Sequence, residues 1–253
     1  MNDVSKDDAS ESNQRVKIVL VHGGFHGSWS WQPVIDRLAV LGWPAETVEL
    51  PSVAPKGKPR YGMLDDAAEV RRCLEATTDP AVVVAHSYGG LVATQGAAGL
   101  ENVRHIVYLA GFQLDIGDSL LGVVNEPAPW WIVDGETLFV DRPLETFYHD
   151  VPADDAMRAI DQLQPSSYAV VTERLTAAAW RTIPSTYVMC EEDRALPLPV
   201  QEQLSKRATN VRRLSSSHSP MLSRPAEVAQ IIADVATDPR RHAQRPVVRE
   251  YGS

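Results

Sequence analysis

Cysteine is scarce in this chain. Two thiols, Cys73 and Cys190, are spread over 253 residues, and neither sits in a Cys-x-x-Cys or other metal-ligand spacing. Both read as buried small hydrophobes, Cys73 on a helical pattern and Cys190 on a strand pattern. Long apolar runs are missing too. No stretch approaches the length of a membrane span. The polar opening, residues 1–12, lacks the apolar core of a signal peptide. These absences lead us to expect a soluble, cytoplasmic protein with no membrane partner. Positive charge is in deficit, with 24 Lys and Arg against 33 Asp and Glu and a formal charge of −9. That argues against a nucleic-acid partner and against an anionic membrane surface. No internal repeat is present.

What is there suits one α/β domain with an insertion, or two small domains. Hydrophobic residues make up 44% and charged residues 23%, enough apolar material for a sizeable core. Residues 1–14 read as a disordered polar tail and residues 238–253 as a loose, arginine-rich one.

The most informative stretch runs from Ala81 to Gly90. Val82, Val83 and Val84 form a β-branched run that reads as a strand buried on both faces. It ends at His86-Ser87-Tyr88-Gly89-Gly90, and a helical pattern follows. Strand, tight turn and helix with a serine at the apex is the layout of a nucleophile elbow. The turn needs small residues two before and two after the serine, and Ala85 and Gly89 supply them. Alanine replaces the glycine usual at the first of these positions. The helix after Ser87 aims its free N–H groups and positive dipole end at the turn.

The first 111 residues alternate strand and helix. Strands are expected at 16–21, 46–50, 81–86 and 103–109, and helices at 31–41, 63–76 and from the elbow to about 99. Such alternation predicts a mostly parallel sheet flanked by helices, with sites beyond the carboxyl ends of its strands. A glycine-rich loop, His22 to Trp31, follows the first strand and allows close backbone approach. The rhythm breaks between about 113 and 181, a segment too long for a loop in a compact domain. Rich in aromatics and prolines, with helical patterns near 154–163 and 166–179, it reads as an inserted helical lid over the strand ends. Core residues 15–112 and 182–237 flank it. The sheet resumes at 185–190 and 211–214, and helices are expected at 199–207 and 226–236.

A serine hydroxyl needs a base to take its proton and an acid to hold the base. Beyond an elbow serine these follow in the order acid, histidine. Ser87, Asp193 at a later strand end and His218 in the loop after the next strand satisfy that order. Glu191, Glu192 and Asp115 are competing acids. His86 is expected to be a structural turn residue, His105 and His149 structural or surface residues, and His242 a tail residue. An oxyanion needs two backbone donors. Tyr88 N–H is one, and Gly24 N–H the other, with Phe25 competing for that role and His22 bracing the loop. Phe25, Trp130 and Trp131 are the expected substrate contacts.

The His22–Trp31 loop, the Ala85–Gly90 elbow, the run from Asp193 to Pro197 and the run from His218 to Ser223 resemble the α/β-hydrolase superfamily. More narrowly, they resemble the branch holding plant methylesterases, hydroxynitrile lyases and related bacterial esterases. The resemblance covers residues 16–111 and 183–236 and is weak across the insertion. It implies the α/β-hydrolase fold, a Ser87–His218–Asp193 triad and no cofactor or metal. The lyases carry a threonine after the first loop histidine and a lysine after the catalytic one. Here those positions are Gly23 and Ser219. The lysine is the group expected to hold leaving cyanide, so its absence favours ester hydrolysis. The expected activity is a serine esterase acting on a small to medium hydrophobic small-molecule ester. Hydroxynitrile-lyase-like or cofactor-free dioxygenase chemistry and a non-catalytic receptor are the alternatives. Neither the natural substrate nor the oligomeric state is legible.

Overall fold

The computed structural model describes residues 16–53, 60–124 and 127–237. The expected tails 1–14 and 238–253, and with them His242, lie outside the described residues. In the first half the alternation takes the order β1 (Lys17–Val21), α1 (Gln32–Val40), β2 (Ala45–Val48), α2 (Met63–Glu75), β3 (Ala81–His86), α3 (Gly89–Gly96) and β4 (Val103–Leu109). The insertion contributes α4 (Leu120–Val124), β5 (Trp131–Asp134), β6 (Thr137–Val140), α5 (Pro143–Phe147), α6 (Ala153–Gln162), β7 (Ser166–Ser167) and α7 (Ala169–Thr172). The chain then returns through β8 (Ser185–Cys190), α8 (Leu198–Leu204), β9 (Asn210–Leu214), α9 (Pro220–Ser223) and α10 (Pro225–Thr237).

Six strands form one sheet in the order β2-β1-β3-β4-β8-β9, and every neighbouring pair is parallel. The excursion between β4 and β8 leaves that register intact, with Tyr108 opposite Tyr187 and Leu109 opposite Val188. Side chains alternate between the two faces. Ile18, Leu20, Val82 and Val84 pack with Trp31, Val34 and Leu38 near α1 and with Val228 and Ile232 of α10. Val19, Val21, Val83 and Ala85 pack on the other face, against Val70 and Leu74 of α2 and Leu91 and Val92 of α3. A strand covered on both sides has no polar face, which is why β3 reads as an unbroken apolar run.

The insertion is not purely helical. The expected helix at 154–163 is α6, but the one at 166–179 is replaced by the short strand β7 and a single turn, α7. Ser166 and Ser167 pair with Leu138 and Thr137 of β6, and Ser166 also bridges Val53. Pairing with segments distant in sequence overrides local helical periodicity here. β5 and β6 form a hairpin closed by Gly135 and Glu136, with Gly135 at a φ of +58°. A glycine at the first of the two loop positions supplies the positive φ that such a tight hairpin turn needs.

Both thiols are free, Cys190 buried and Cys73 half-buried, and burial raises the pKa of each. Among the described residues, no helix is long and apolar enough to cross a membrane.

Candidate active site

Ser87 sits at the end of β3 with a left-handed φ of +52°. A non-glycine residue held there costs about 1–3 kcal/mol. The three valines before it, all fully buried, contribute together roughly 5–9 kcal/mol of hydrophobic stabilisation. Ser87 N–H donates to Leu109 O at 3.1 Å, and Ser87 O accepts from Gly90 N–H and Phe112 N–H, each at 3.0 Å. Gly89 is required by packing. A Cβ there would lie 2.5 Å from His22 O.

The ends of β8 and β9 supply the partners. His218, in the loop after β9, has Nε2 2.9 Å from Ser87 Oγ. Its Nδ1 lies 2.7 Å from Asp193 Oδ2. Asp193 is a buried acceptor, so His218 carries its proton on Nδ1 and Ser87 O–H donates to Nε2. Asp193 Oδ1 accepts from Ala195 N–H and Leu196 N–H, each at 2.8 Å. Gln201 of α8 donates to Leu196 O and Cys190 O and closes the same turn. The competing acids are engaged elsewhere: Glu191 with Arg213, Glu192 with Ser215, and Asp115 with Arg181. His86 is buried and kept neutral by desolvation, and its Nε2–H donates to His218 O at 2.8 Å. It fixes the backbone of His218 rather than reaching Ser87. His105 bonds Thr186, and His149 bonds Glu192 O.

The loop after β1 is held from behind. Leu50 N–H donates to His22 Nε2, which leaves Nδ1–H to donate to Gly23 O at 2.8 Å. That carbonyl shares a trans peptide with Gly24 N–H, so pinning one aims the other in the opposite direction. His26 repeats the device one peptide on. Tyr148 O–H donates to His26 Nε2 at 2.7 Å, and His26 Nδ1–H donates to Gly24 O at 2.8 Å. Burial lowers the His26 pKa to about 3, so the ring stays neutral. The paired donor, Phe25 N–H, is taken by Ser166 Oγ at 3.0 Å. Phe25 is thus the weaker candidate for the second oxyanion donor. Gly24 N–H and Tyr88 N–H have no hydrogen-bond acceptor among the described residues. The Tyr88 side chain is drawn away, its O–H donating to Asp66 Oδ2 at 2.6 Å. Asp66 also accepts from Ser52 N–H and O–H, and burial raises its pKa to about 6.

A cleft opens above Ser87, with about 530 Å³ of free space counted out to its mouth. Gly24, Phe25, Ser87, Tyr88, Trp130, Trp131 and His218 all line it, and Asp193 lies behind His218. The structure thus gathers every expected site residue into one place. It adds Phe147, whose ring stacks on His218 at 5.4 Å, and Ser166. Sequence reasoning missed both, because nothing local distinguishes them from other residues of the insertion. Among the described residues, no cluster of His, Cys, Asp or Glu is placed to hold a metal.

A model described as "Alpha/beta hydrolase family" matches residues 18–231. An alpha/beta hydrolase of Aspergillus novofumigatus (strain IBT 16806) is 27% identical over 87% of this chain and 96% of its own. Methylesterase 7 of Arabidopsis thaliana is 26% identical over 89% of this chain and 98% of its own. The solved structure of a pyrethroid hydrolase from Sphingobium faniae JZ-2 superposes with a TM-score of 0.78 at 24% identity. It covers 89% of this chain and 99% of its own.

Proposed function

Since this chain belongs to the alpha/beta hydrolase family, we propose that it is a serine esterase cleaving a small to medium hydrophobic carboxylic ester through an acyl-enzyme. One observation carries this reading: Ser87 Oγ lies 2.9 Å from His218 Nε2 beneath an apolar cleft, with Asp193 2.7 Å from the other ring nitrogen. Ser87 attacks the ester carbonyl while His218 takes its proton. Gly24 N–H and Tyr88 N–H receive the oxyanion. His218 returns the proton to the leaving alkoxide, and Asp193 holds the ring and offsets its charge. Water, deprotonated by His218, then attacks the acyl carbon and releases the acid. The 113–181 insertion serves as the lid. Its Trp130, Trp131 and Phe147 make the walls apolar and favour hydrophobic acyl groups.

Two positions weigh against the lyase alternative. A Cβ on Gly23 would lie 2.8 Å from His86 Nδ1 and 3.1 Å from Ser87 Cβ, so a threonine does not fit there without displacing the elbow. The position after the base is Ser219, buried and short, with no cation to hold cyanide.

The test is hydrolysis of p-nitrophenyl esters of increasing acyl length by wild type and Ser87→Ala. The reading expects a burst of p-nitrophenol equal to the enzyme present. It expects steady turnover to fall about 10⁴-fold or more in the variant. Turnover of equal size in both proteins would refute acyl transfer at Ser87.

A further inference from the structure

Three hydroxyls line the cleft, and two have clear duties. Ser87 O–H faces His218, and Tyr88 O–H is spent on Asp66. The third, Ser166, is 1% exposed and comes from β7 of the insertion. Its oxygen accepts Phe25 N–H at 3.0 Å, while its own hydrogen has no acceptor among the described residues. A buried donor without an acceptor is costly to the fold. Such a donor on a cleft wall marks where a ligand oxygen belongs. Accepting Phe25 N–H also polarises the hydroxyl and makes it a stronger donor.

Its place in the site says which part of a substrate it meets. The leaving alcohol must face His218 to collect a proton. Ser166 sits beside the loop that carries Gly24 and Phe25, with Oγ 3.0 Å from Phe25 N and 4.0 Å from the position of a Cβ on Gly24. Groups beside that loop meet the acyl half. We propose that Ser166 is a specificity residue whose hydroxyl donates to a second oxygen on the acyl chain. The cleft would then select esters bearing an ether, keto or similar acceptor near the reacting carbonyl over plain hydrocarbon acyl esters. The inference rests on the esterase reading above.

Two isosteric pairs test it. The first is p-nitrophenyl methoxyacetate against p-nitrophenyl butyrate, which differ by one ether oxygen. The second is methoxyacetone against 2-pentanone, the same pair without a leaving group, with binding read from tryptophan fluorescence. Ser166→Ala should lower the methoxyacetate-to-butyrate ratio of kcat/KM about fivefold, mainly through KM, and Ser166→Thr should restore it. Ser166→Ala should abolish any preference for methoxyacetone in binding. A merely structural role, holding Phe25 N–H, would lower both esters equally and leave the ratio unmoved, which overturns the proposal. So would an equal loss confined to kcat, since that assigns the hydroxyl to the oxyanion. If wild type cleaves neither ester yet prefers methoxyacetone in a Ser166-dependent way, the esterase reading falls and the contact stands. If no preference is seen in either pair, the contact falls.

Discussion

The two walls of the cleft are built differently. On the sheet side, Asp193, His218 and Ser87 hang from three strand ends and meet through hydrogen bonds of 2.7 and 2.9 Å. The parallel register of β3, β8 and β9 sets their spacing. On the insertion side, contact is mostly aromatic: Trp130 lies edge-on to Phe25, Trp131 and Phe147, at 5.2 to 6.2 Å between ring centroids. A few hydrogen bonds fasten that side to the loops it covers. Tyr148 holds His26, Ser166 holds Phe25, and Asp150 takes Ser217 N–H beside the base. Directional bonds on one side fix where atoms react. Packed rings on the other fix what fits. On this reading, damage to the sheet side removes chemistry, and damage to the insertion side changes selectivity or loop stability.

Asp193→Asn should produce the largest effect. The amide keeps the shape but cannot accept from both backbone donors and from His218 Nδ1–H, so the ring loses its tautomer. A fall in kcat of about 10³- to 10⁴-fold is expected, with KM nearly unchanged, from steady-state kinetics on the preferred ester. A loss of tenfold or less would mean that another acid serves the base and would blur the contrast.

The His26 clamp makes a smaller prediction, read in stability. Its folded pKa of about 3 lies below the unfolded value of 6.5, so the unfolded chain binds the proton more readily. The clamp's contribution is complete above pH 6.5 and is lost as pH falls toward 3. Between pH 6.5 and 5 the loss is about 2 kcal/mol. Asp66 acts in the opposite sense, because its folded pKa of about 6 exceeds 3.8 and favours the folded state as pH falls. His26→Asn keeps a donor for Gly24 O and does not titrate. Urea unfolding at several pH values should therefore give a wild-type-minus-variant difference that declines on acidification. A flat difference would mean that the ring titrates alike in both states.

Trp130→Ala should have the least effect on chemistry. It removes one wall of the cleft without touching Ser87, His218 or the loop carbonyls. The optimum acyl length should move to longer chains, with a change of about tenfold in relative kcat/KM between short and long esters. A uniform loss across lengths would place Trp130 in the sheet-side class and break the comparison.

Legibility followed the same division. The valine run of β3 and the elbow after it were readable because a doubly covered strand has no polar face and a tight turn admits few residues. Asp193 and His218 stood out as candidates because they follow later strands in the chain order that accompanies an elbow serine in α/β-hydrolases. The helix expected at 166–179 was not there, because Ser166 and Ser167 gained cross-strand partners 28 and 30 positions away in β6. Phe147, Tyr148 and Ser166 look like any aromatic or polar residue of the insertion until the chain folds back on the loop after β1.

The order of strands and helices outside the insertion, the elbow, and the candidacy of Ser87 and His218 were set by sequence alone, because each depends on local pattern or chain order. The choice among the four candidate acids, the orientation of the His22 and His26 rings by Leu50 and Tyr148, and the lone hydroxyl on the cleft wall were decided by tertiary structure. Those features are distances between segments as far as 141 positions apart in the chain. Local pattern carries no record of them; the packing of one segment on another sets them.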